Sequence, residues 1–324
     1  MSAVVEIRGL HKTFRSARWG VRQALDGFNM TVQPGQVHGF LGPNGSGKST
    51  TLRVVLGLTR AGAGEVRVLG QPVPRASPRL ARHIGALIES PRFFPHFTGW
   101  DTLTLLCDTG RVPRTRADEV LELVGLADRG RDRIRTYSLG MRQRLAVAVA
   151  VHKHPDLLIL DEPANGLDPA GIRQMRDLMR ALADSGTTVV LASHILGEVQ
   201  QLCDSVTIIS GGRTVAAGSV AEVLSRHASG RLRVRLESVE HLPTGAQALA
   251  ASGVRVAVLP DHLVVSGITR GGEVTRVLAA HGLFVSELTP EPVGLEDVFL
   301  ELTETSLAGR HRLGDGPART GVPA

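Results

Sequence analysis

The fold of this chain is decided by a glycine-rich stretch, Gly42-Pro43-Asn44-Gly45-Ser46-Gly47-Lys48-Ser49-Thr50. Its glycines allow the backbone to curl so that successive N–H groups point at phosphate oxygens. Lys48 adds a fixed positive charge for the β- and γ-phosphates, and the hydroxyl of Ser49 is suited to Mg²⁺. The stretch therefore predicts a site for a nucleoside triphosphate and its Mg²⁺.

The flanks of this loop agree with that prediction. An apolar run at residues 36–41 predicts a strand before the loop, and residues 49–56 predict a helix after it. A helix N-terminus favours an anion, because its free N–H groups and its dipole both face the anion. Strand, loop and helix together predict the P-loop arrangement of nucleoside triphosphatases.

The order of elements predicts an α/β fold. Apolar strands at 157–160, 187–192 and 205–209 alternate with helices, which is typical of a mostly parallel, mixed sheet covered on both faces. Between about 93 and 155 the pattern is helical, so we expect a helical subdomain inserted into a core of residues 1–224.

A smaller domain is predicted after this core. Residues 225–305 read as strand, helix, strand, strand, helix, strand, the order of a small α+β accessory domain. The last residues, 306–324, are rich in Gly, Arg and Pro, and we expect them to be a disordered tail.

Composition excludes several classes of protein. No apolar run approaches the roughly 18 to 20 residues that a membrane span needs, and a charged N-terminus argues against a signal peptide, so we expect a cytosolic location. Only two cysteines occur, which provide neither a disulfide framework nor a metal cluster. The net charge is +6, but only 3% of residues are aromatic and no long basic run occurs, so nucleic acid is not an expected partner.

An acidic pair follows the strand at 157–160. Asp161 is suited to the Mg²⁺ shell, and Glu162 is placed to position or deprotonate an attacking water. An acidic residue after a strand is also a common helix N-cap. Together with the phosphate-binding loop, the catalytic interpretation is favoured.

Shortly before this pair lies Tyr137-Ser138-Leu139-Gly140-Met141-Arg142-Gln143-Arg144, which resembles the signature motif of the ATP-binding cassette (ABC) family. The resemblance implies that Ser138 and Gly140 engage the γ-phosphate of ATP held by a partner cassette. Asp168 lies in a stretch similar to the family's D-loop, and His194 resembles its switch histidine, which contacts the γ-phosphate. The resemblance covers about residues 1–305.

The family also stacks an aromatic ring on adenine. Phe14 holds the usual place after the first strand, whereas Trp19 has the usual distance to the following strand, and we favour Phe14 slightly. Both residues stay candidates for this stacking. The alternative for either ring is that it packs on the sheet.

Two departures from the family pattern point to a subgroup. Glu89 takes the place of the usual glutamine of the Q-loop, where it could still ligate Mg²⁺ or orient water, and Leu139 replaces a glycine of the signature. Both variants, and the ending at 292–303, resemble cassettes that serve bacterial exporters of drugs and peptide antibiotics, including immunity systems.

The resemblance implies the ATP-hydrolysing subunit of an exporter. Two cassettes, identical or paralogous, would close head to tail over ATP and Mg²⁺ and drive a separate integral membrane permease, on the cytoplasmic side of the cell membrane. The substrate would be a drug, an antibiotic, a peptide or a lipid-like molecule. Scarce aromatic residues near 93–100 are candidates for the permease contact, or for the core of the helical block. The alternative is a cassette ATPase that acts on ribosomes or DNA.

Overall fold

The computed structural model describes residues 2–16, 20–75, 77–88, 92–227, 231–267, 270–290 and 294–303. Trp19, Glu89 and the 306–324 tail lie outside these residues, so the predictions made for them are not tested. The chain divides into two compact units, Met1–Val220 with Phe299–Ala324, and Ala221–Val298. The domain boundaries at 224 and 305 stay predictions.

The larger unit contains two sheets and the helices around them. Its elements are β1 (Val5–Ser16), β2 (Gly20–Val32), β3 (Val37–Leu41), α1 (Lys48–Val55), β4 (Ala63–Val68), β5 (Gln71–Pro72), α2 (Ser77–Leu80), β6 (Ile84–Leu87), α3 (Gly99–Gly110), α4 (Thr115–Leu123), α5 (Leu139–Val151), β7 (Leu157–Asp161), α6 (Pro169–Asp184), β8 (Thr188–Ser193), α7 (Leu196–Leu202), β9 (Ser205–Ser210) and β10 (Arg213–Ser219). Helix α8 (Val220–His227) crosses the division between the units.

The main sheet has six strands in the order β10-β9-β3-β8-β7-β6. All neighbours are parallel except the edge strand β10, which is antiparallel to β9. Every residue of β3 and β8 is buried, as expected for strands covered on both faces. The prediction of a mixed, mostly parallel α/β sheet is confirmed.

A second, antiparallel sheet packs on the first. Its four strands have the order β2-β1-β4-β5. The two sheets share a core in which the rings of Phe28, from β2, and Phe40, from β3, lie 5.5 Å apart. The strand just before the phosphate-binding loop is therefore anchored from one side by this second sheet.

Helices α3 to α5 form the helical block. A capping box between Thr98 and Asp101 starts α3, and the hydroxyl of Ser138 caps α5. Helix α5 approaches β6 so closely that a Cβ at Gly85 would lie 2.1 Å from the carbonyl oxygen of Ala150. Phe94 is 69% exposed, so the aromatic residues here are not simply the core of the block.

The smaller unit has the elements β11 (Arg231–Leu236), α9 (Leu242–Ala251), β12 (Arg255–Val258), β13 (Leu263–Ser266), α10 (Gly271–Ala280) and β14 (Val285–Pro290). The strand order is β12-β13-β11-β14, which is a ferredoxin-like arrangement. One face of this sheet packs on both helices through residues such as Val234, Leu249 and Leu278. Among the described residues, no helix is both long enough and apolar enough to cross a bilayer.

A histidine is buried in the main sheet, on the strand that precedes the phosphate-binding loop. His38 on β3 lies 2.7 Å from the hydroxyl of Ser205 and 3.0 Å from that of Thr207, both on β9. Burial lowers the pKa of His38 to about 4. The ring is therefore neutral at pH 7, and each of its two nitrogens has a hydroxyl partner.

His38 predicts a loss of stability in acid. In the unfolded chain the pKa of His38 is about 6.5, so the unfolded state binds a proton below that pH. In the folded state His38 stays unprotonated until the pH approaches about 4. The free energy of unfolding should fall by about 3 kcal/mol across this window through His38 alone. Urea denaturation between pH 4 and 7 should show a flatter profile for His38→Gln than for the wild type. Parallel pH profiles of the wild type and His38→Gln would contradict the lowered pKa of His38.

Candidate functional site

The site is built where three neighbouring parallel strands end. Leu41 at the end of β3 pairs with Ser193 at the end of β8, and Asp161 at the end of β7 pairs with Ala192. The segments that follow these strands therefore emerge at one edge of the sheet, where α/β folds place their ligands. They carry the phosphate-binding loop, His194 and Glu162.

Backbone geometry explains the glycines of the loop. Gly47 has φ +116°, a conformation that residues with a side chain rarely adopt, and it is the N-cap of α1. A Cβ at Gly42 would lie 2.5 Å from the carbonyl oxygen of Ile209. Lys48 Nζ donates hydrogen bonds to the carbonyl oxygens of Gly42 and of Pro43, the latter at 3.4 Å.

One cleft gathers most of the predicted residues. It is lined by Phe14, Arg22, Ala24, Pro43, Asn44, Gly45, Gly47, Lys48, Ser49, Thr50, Asp161 and Glu162. Gly42 and Ser46 are buried and are not among the lining residues. Burial lowers the pKa of Lys48, and the negative charges of Glu162 and Asp161 oppose this shift. The cleft thus combines a cation with two carboxylates and a backbone loop able to receive phosphate.

Hydrogen bonds hold the acidic pair in place. The hydroxyl of Ser49 donates to Asp161 Oδ2 at 2.9 Å, and His194 Nδ1 donates to Glu162 Oε2 at 2.6 Å. Glu162 has φ +52°, a strained conformation of the kind found at functional sites. Its backbone N–H bonds to the carbonyl oxygen of Ala192 at 2.9 Å, which ties the end of β7 to β8.

The residues of the signature and of the D-loop form a second cleft. Ser138, Gly140 and Asp168 line it together. Ser138 caps α5 by accepting from the Met141 N–H at 3.2 Å, and Asp168 caps α6 by accepting from the Gly171 N–H at 2.8 Å. As far as the chain is described, the two clefts have no lining residue in common.

Comparisons with known proteins decide the family. A family model described as ABC transporter matches residues 25–165. The uncharacterized ABC transporter ATP-binding protein YdbJ of Bacillus subtilis is 37% identical over 305 residues, covering 93% of this chain and 95% of that protein. The chain belongs to the ATP-binding subunits of ABC transporters. The cassette is accordingly an ATP-binding ATPase.

Two relatives have names that mention antibiotics. The bacitracin transport ATP-binding protein BcrA of Bacillus licheniformis is 34% identical, covering 93% of this chain and 98% of that protein. The daunorubicin resistance ATP-binding protein DrrA3 of Streptomyces coeruleorubidus is 37% identical, covering 88% and 93%. Among solved structures, cbiO1 from Clostridium perfringens, part of the ABC transporter complex cbiONQ, has a TM-score of 0.63 at 25% identity, covering 78% of this chain and 98% of that chain.

Two contacts of the site could not be predicted from the motifs. Arg22 lines the first cleft, but no motif includes it, and only the pairing of β1 with β2 places it opposite Phe14. Leu139 contacts the D-loop, since a Cβ at Gly166 would lie 2.9 Å from Leu139 Cδ2. Gly166 also has φ +76°. A leucine in the signature thus packs where the D-loop has no side chain.

This contact predicts a coupling between the signature and the D-loop. Gly166→Ala should lower the free energy of unfolding by about 1–3 kcal/mol through backbone strain, and the added methyl group should also displace the end of the Leu139 side chain. The double variant Gly166→Ala/Leu139→Ala removes the clash, so its loss should be smaller than the sum of the single losses. Urea denaturation of the four proteins measures the difference.

Gly186 supplies the matched control. It has φ +100° but no neighbouring atom within 4 Å of an added Cβ, so Gly186→Ala introduces strain without a clash. Its effect should add to that of Leu139→Ala. Additive losses for the Gly166 pair as well would mean that Leu139 moves aside at no cost, and the coupling between the signature and the D-loop would be wrong.

Proposed function

We propose that two copies of the cassette, or one copy and a paralogue, close head to tail over two ATP molecules, and that hydrolysis reopens them. The observation that carries this proposal is the separation of the two clefts, which have no common lining residue among those described. Ser138 and Gly140 line a cleft other than that of the phosphate-binding loop of their own chain, which favours a role at the loop of another chain. A second cassette supplies the missing half.

The first cleft fits ATP with Mg²⁺. The backbone of the loop lines the cleft at Gly45 and Gly47, and Lys48 supplies positive charge to phosphate there. Ser49 and Asp161 offer the oxygen donors for Mg²⁺ and already lie in hydrogen-bond contact at 2.9 Å. Two protein donors suit this cation, which usually keeps waters and phosphate oxygens as its other ligands. Bound Mg²⁺ neutralises charge that develops on the phosphates.

Glu162 is the residue that orients and activates the attacking water. Its carboxylate accepts a hydrogen bond from His194, and an ionised carboxylate can only accept, so Nδ1 carries a proton. The other nitrogen, Nε2, would donate to a phosphate oxygen only from the doubly protonated ring. His194 in this way holds the carboxylate in position and is itself placed to sense the γ-phosphate. Ser138, Gly140 and Asp168 act on the site of the partner cassette.

Phe14 is the residue that stacks on adenine. It lines the cleft and is 44% exposed, which leaves ring surface for a base. The ammonium of Lys12 lies 5.0 Å from the centre of this ring and is held there by a hydrogen bond to the carbonyl oxygen of Arg60. Such a cation–π contact fixes the ring before the nucleotide arrives. Trp19 lies outside the described residues.

The proposed dimer of cassettes lies on the cytoplasmic side of the cell membrane. It drives export through a separate membrane permease. The names of the bacitracin transport and daunorubicin resistance relatives support a peptide antibiotic or a drug as substrate. The permease contact lies at Phe94 and Phe97, two exposed rings 5.2 Å apart at the start of the helical block. Exposed aromatic pairs of this kind are common in protein interfaces.

Glu162→Gln tests the catalytic assignment. It keeps the shape of the side chain but cannot accept a proton, so ATP hydrolysis should fall at least about a hundredfold while ATP still binds. Size-exclusion chromatography with ATP should then show a trapped dimer. Lys48→Ala is the control, because it should lose ATP binding and therefore the dimer. Unchanged phosphate release by Glu162→Gln would show that Glu162 is not the base.

The permease contact is tested by co-purification with the membrane protein encoded next to the cassette. Phe94→Ala/Phe97→Ala should reduce the recovered complex at least about tenfold, since exposed aromatic anchors supply much of an interface's energy. Phe284→Ala, which removes a ring 62% exposed in the smaller unit, should leave recovery unchanged. Equal recovery of the double variant and the wild type would place the contact elsewhere.

A further inference from the structure

Arg22 is a cation of the nucleotide cleft that no motif accounts for. It lies on β2 opposite Phe14 of β1, and both side chains line the cleft. Its guanidinium reaches the phosphate-binding loop, because Arg22 Nη2 lies 3.2 Å from the position that a Cβ at Gly45 would take. Arg22 therefore projects from the hairpin over the loop.

The surroundings of Arg22 leave its charge available. The structure gives its guanidinium no hydrogen bond or ion pair with any described residue. The two carboxylates of the cleft are engaged elsewhere, Asp161 with Ser49 and Glu162 with His194.

The chemistry of the side chain matches the ligand of this cleft. A guanidinium presents five N–H donors in a planar fork that fits phosphate oxygens two at a time. Lys48 is buried, whereas Arg22 is exposed, so the two cations reach the cleft from different depths. Gly45 has no side chain that could block the approach of the guanidinium. Its φ of +77° also disfavours a residue with a side chain at this position.

We infer that Arg22 is a further phosphate-binding residue, which holds the triphosphate chain of ATP from the hairpin while Lys48 holds it from the loop. This inference rests on the proposed nucleotide site. Because Arg22 binds phosphate in the ground state and in the transition state alike, it contributes to affinity and not to the chemical step.

Calorimetric titration of the full chain with ATP, ADP and adenosine tests the assignment. Arg22→Ala should weaken ATP and ADP about tenfold and leave adenosine, which has no phosphate, unchanged. Arg22→Lys should recover part of the loss, because it keeps the charge and loses the fork. In ATPase assays, the KM of Arg22→Ala should rise about tenfold with kcat within about twofold of the wild type.

Arg15 supplies the matched control. It is an exposed arginine of the same hairpin, one residue from Phe14, and alternation along a strand turns it to the opposite face, away from the cleft lining. Arg15→Ala should bind ATP like the wild type. Equal affinities of the Arg22→Ala and Arg15→Ala variants would overturn the inference, as would an equal loss for adenosine and ATP.

Lys48→Ala separates this inference from the function on which it rests. If Lys48→Ala loses ATP and Arg22→Ala does not, the nucleotide site stands and Arg22 is only a solvated charge. If Lys48→Ala also binds ATP like the wild type, the nucleotide site itself is wrong.

Discussion

The site depends on the register in which β3, β8 and β7 pair. Backbone hydrogen bonds place Leu41 beside Ser193 and Asp161 beside Ala192, so loop, switch histidine and acidic pair emerge at one edge. A slip by one residue would turn every side chain of a strand to the other face of the sheet. Burial of every residue of β3 and β8 opposes such a slip, because each side chain is packed in a space that fits it.

Polar contacts then fix the loop to this frame. The Gly212 N–H donates to the carbonyl oxygen of Ser46 at 2.9 Å, and the Asp26 N–H donates to the carbonyl oxygen of Gly212 at 2.9 Å. Asp26 also pairs with Arg213, which holds the pKa of its carboxyl below the usual range. The turn before β10 thus ties the phosphate-binding loop to β2, the strand that carries Arg22.

Short-range patterns made much of the fold predictable from sequence. The loop at 42–50 and the caps at Ser138 and Asp168 act within a few residues, so their spacing is visible in the chain. Long-range pairings are not visible in this way. The position of Arg22 opposite Phe14 depends on a hairpin with several register shifts. The positive φ of Glu162 accompanies the hydrogen bond that its N–H makes to β8. Both features belong to the site, and no periodicity marks either of them.

The second cleft has an electrostatic asymmetry that bears on closure of the dimer. Helices α5 and α6 both begin there, but α5 is capped by the neutral hydroxyl of Ser138 and α6 by the carboxylate of Asp168. In the proposed dimer, a phosphate of the partner's ATP would be attracted by the N-terminus of α5 and repelled by Asp168. In the proposed closed dimer, the nucleotide must therefore approach from the side of α5, while Asp168 faces donor groups of the partner. Leu139, packed on Gly166, links the two helix starts so that they meet the partner as one surface.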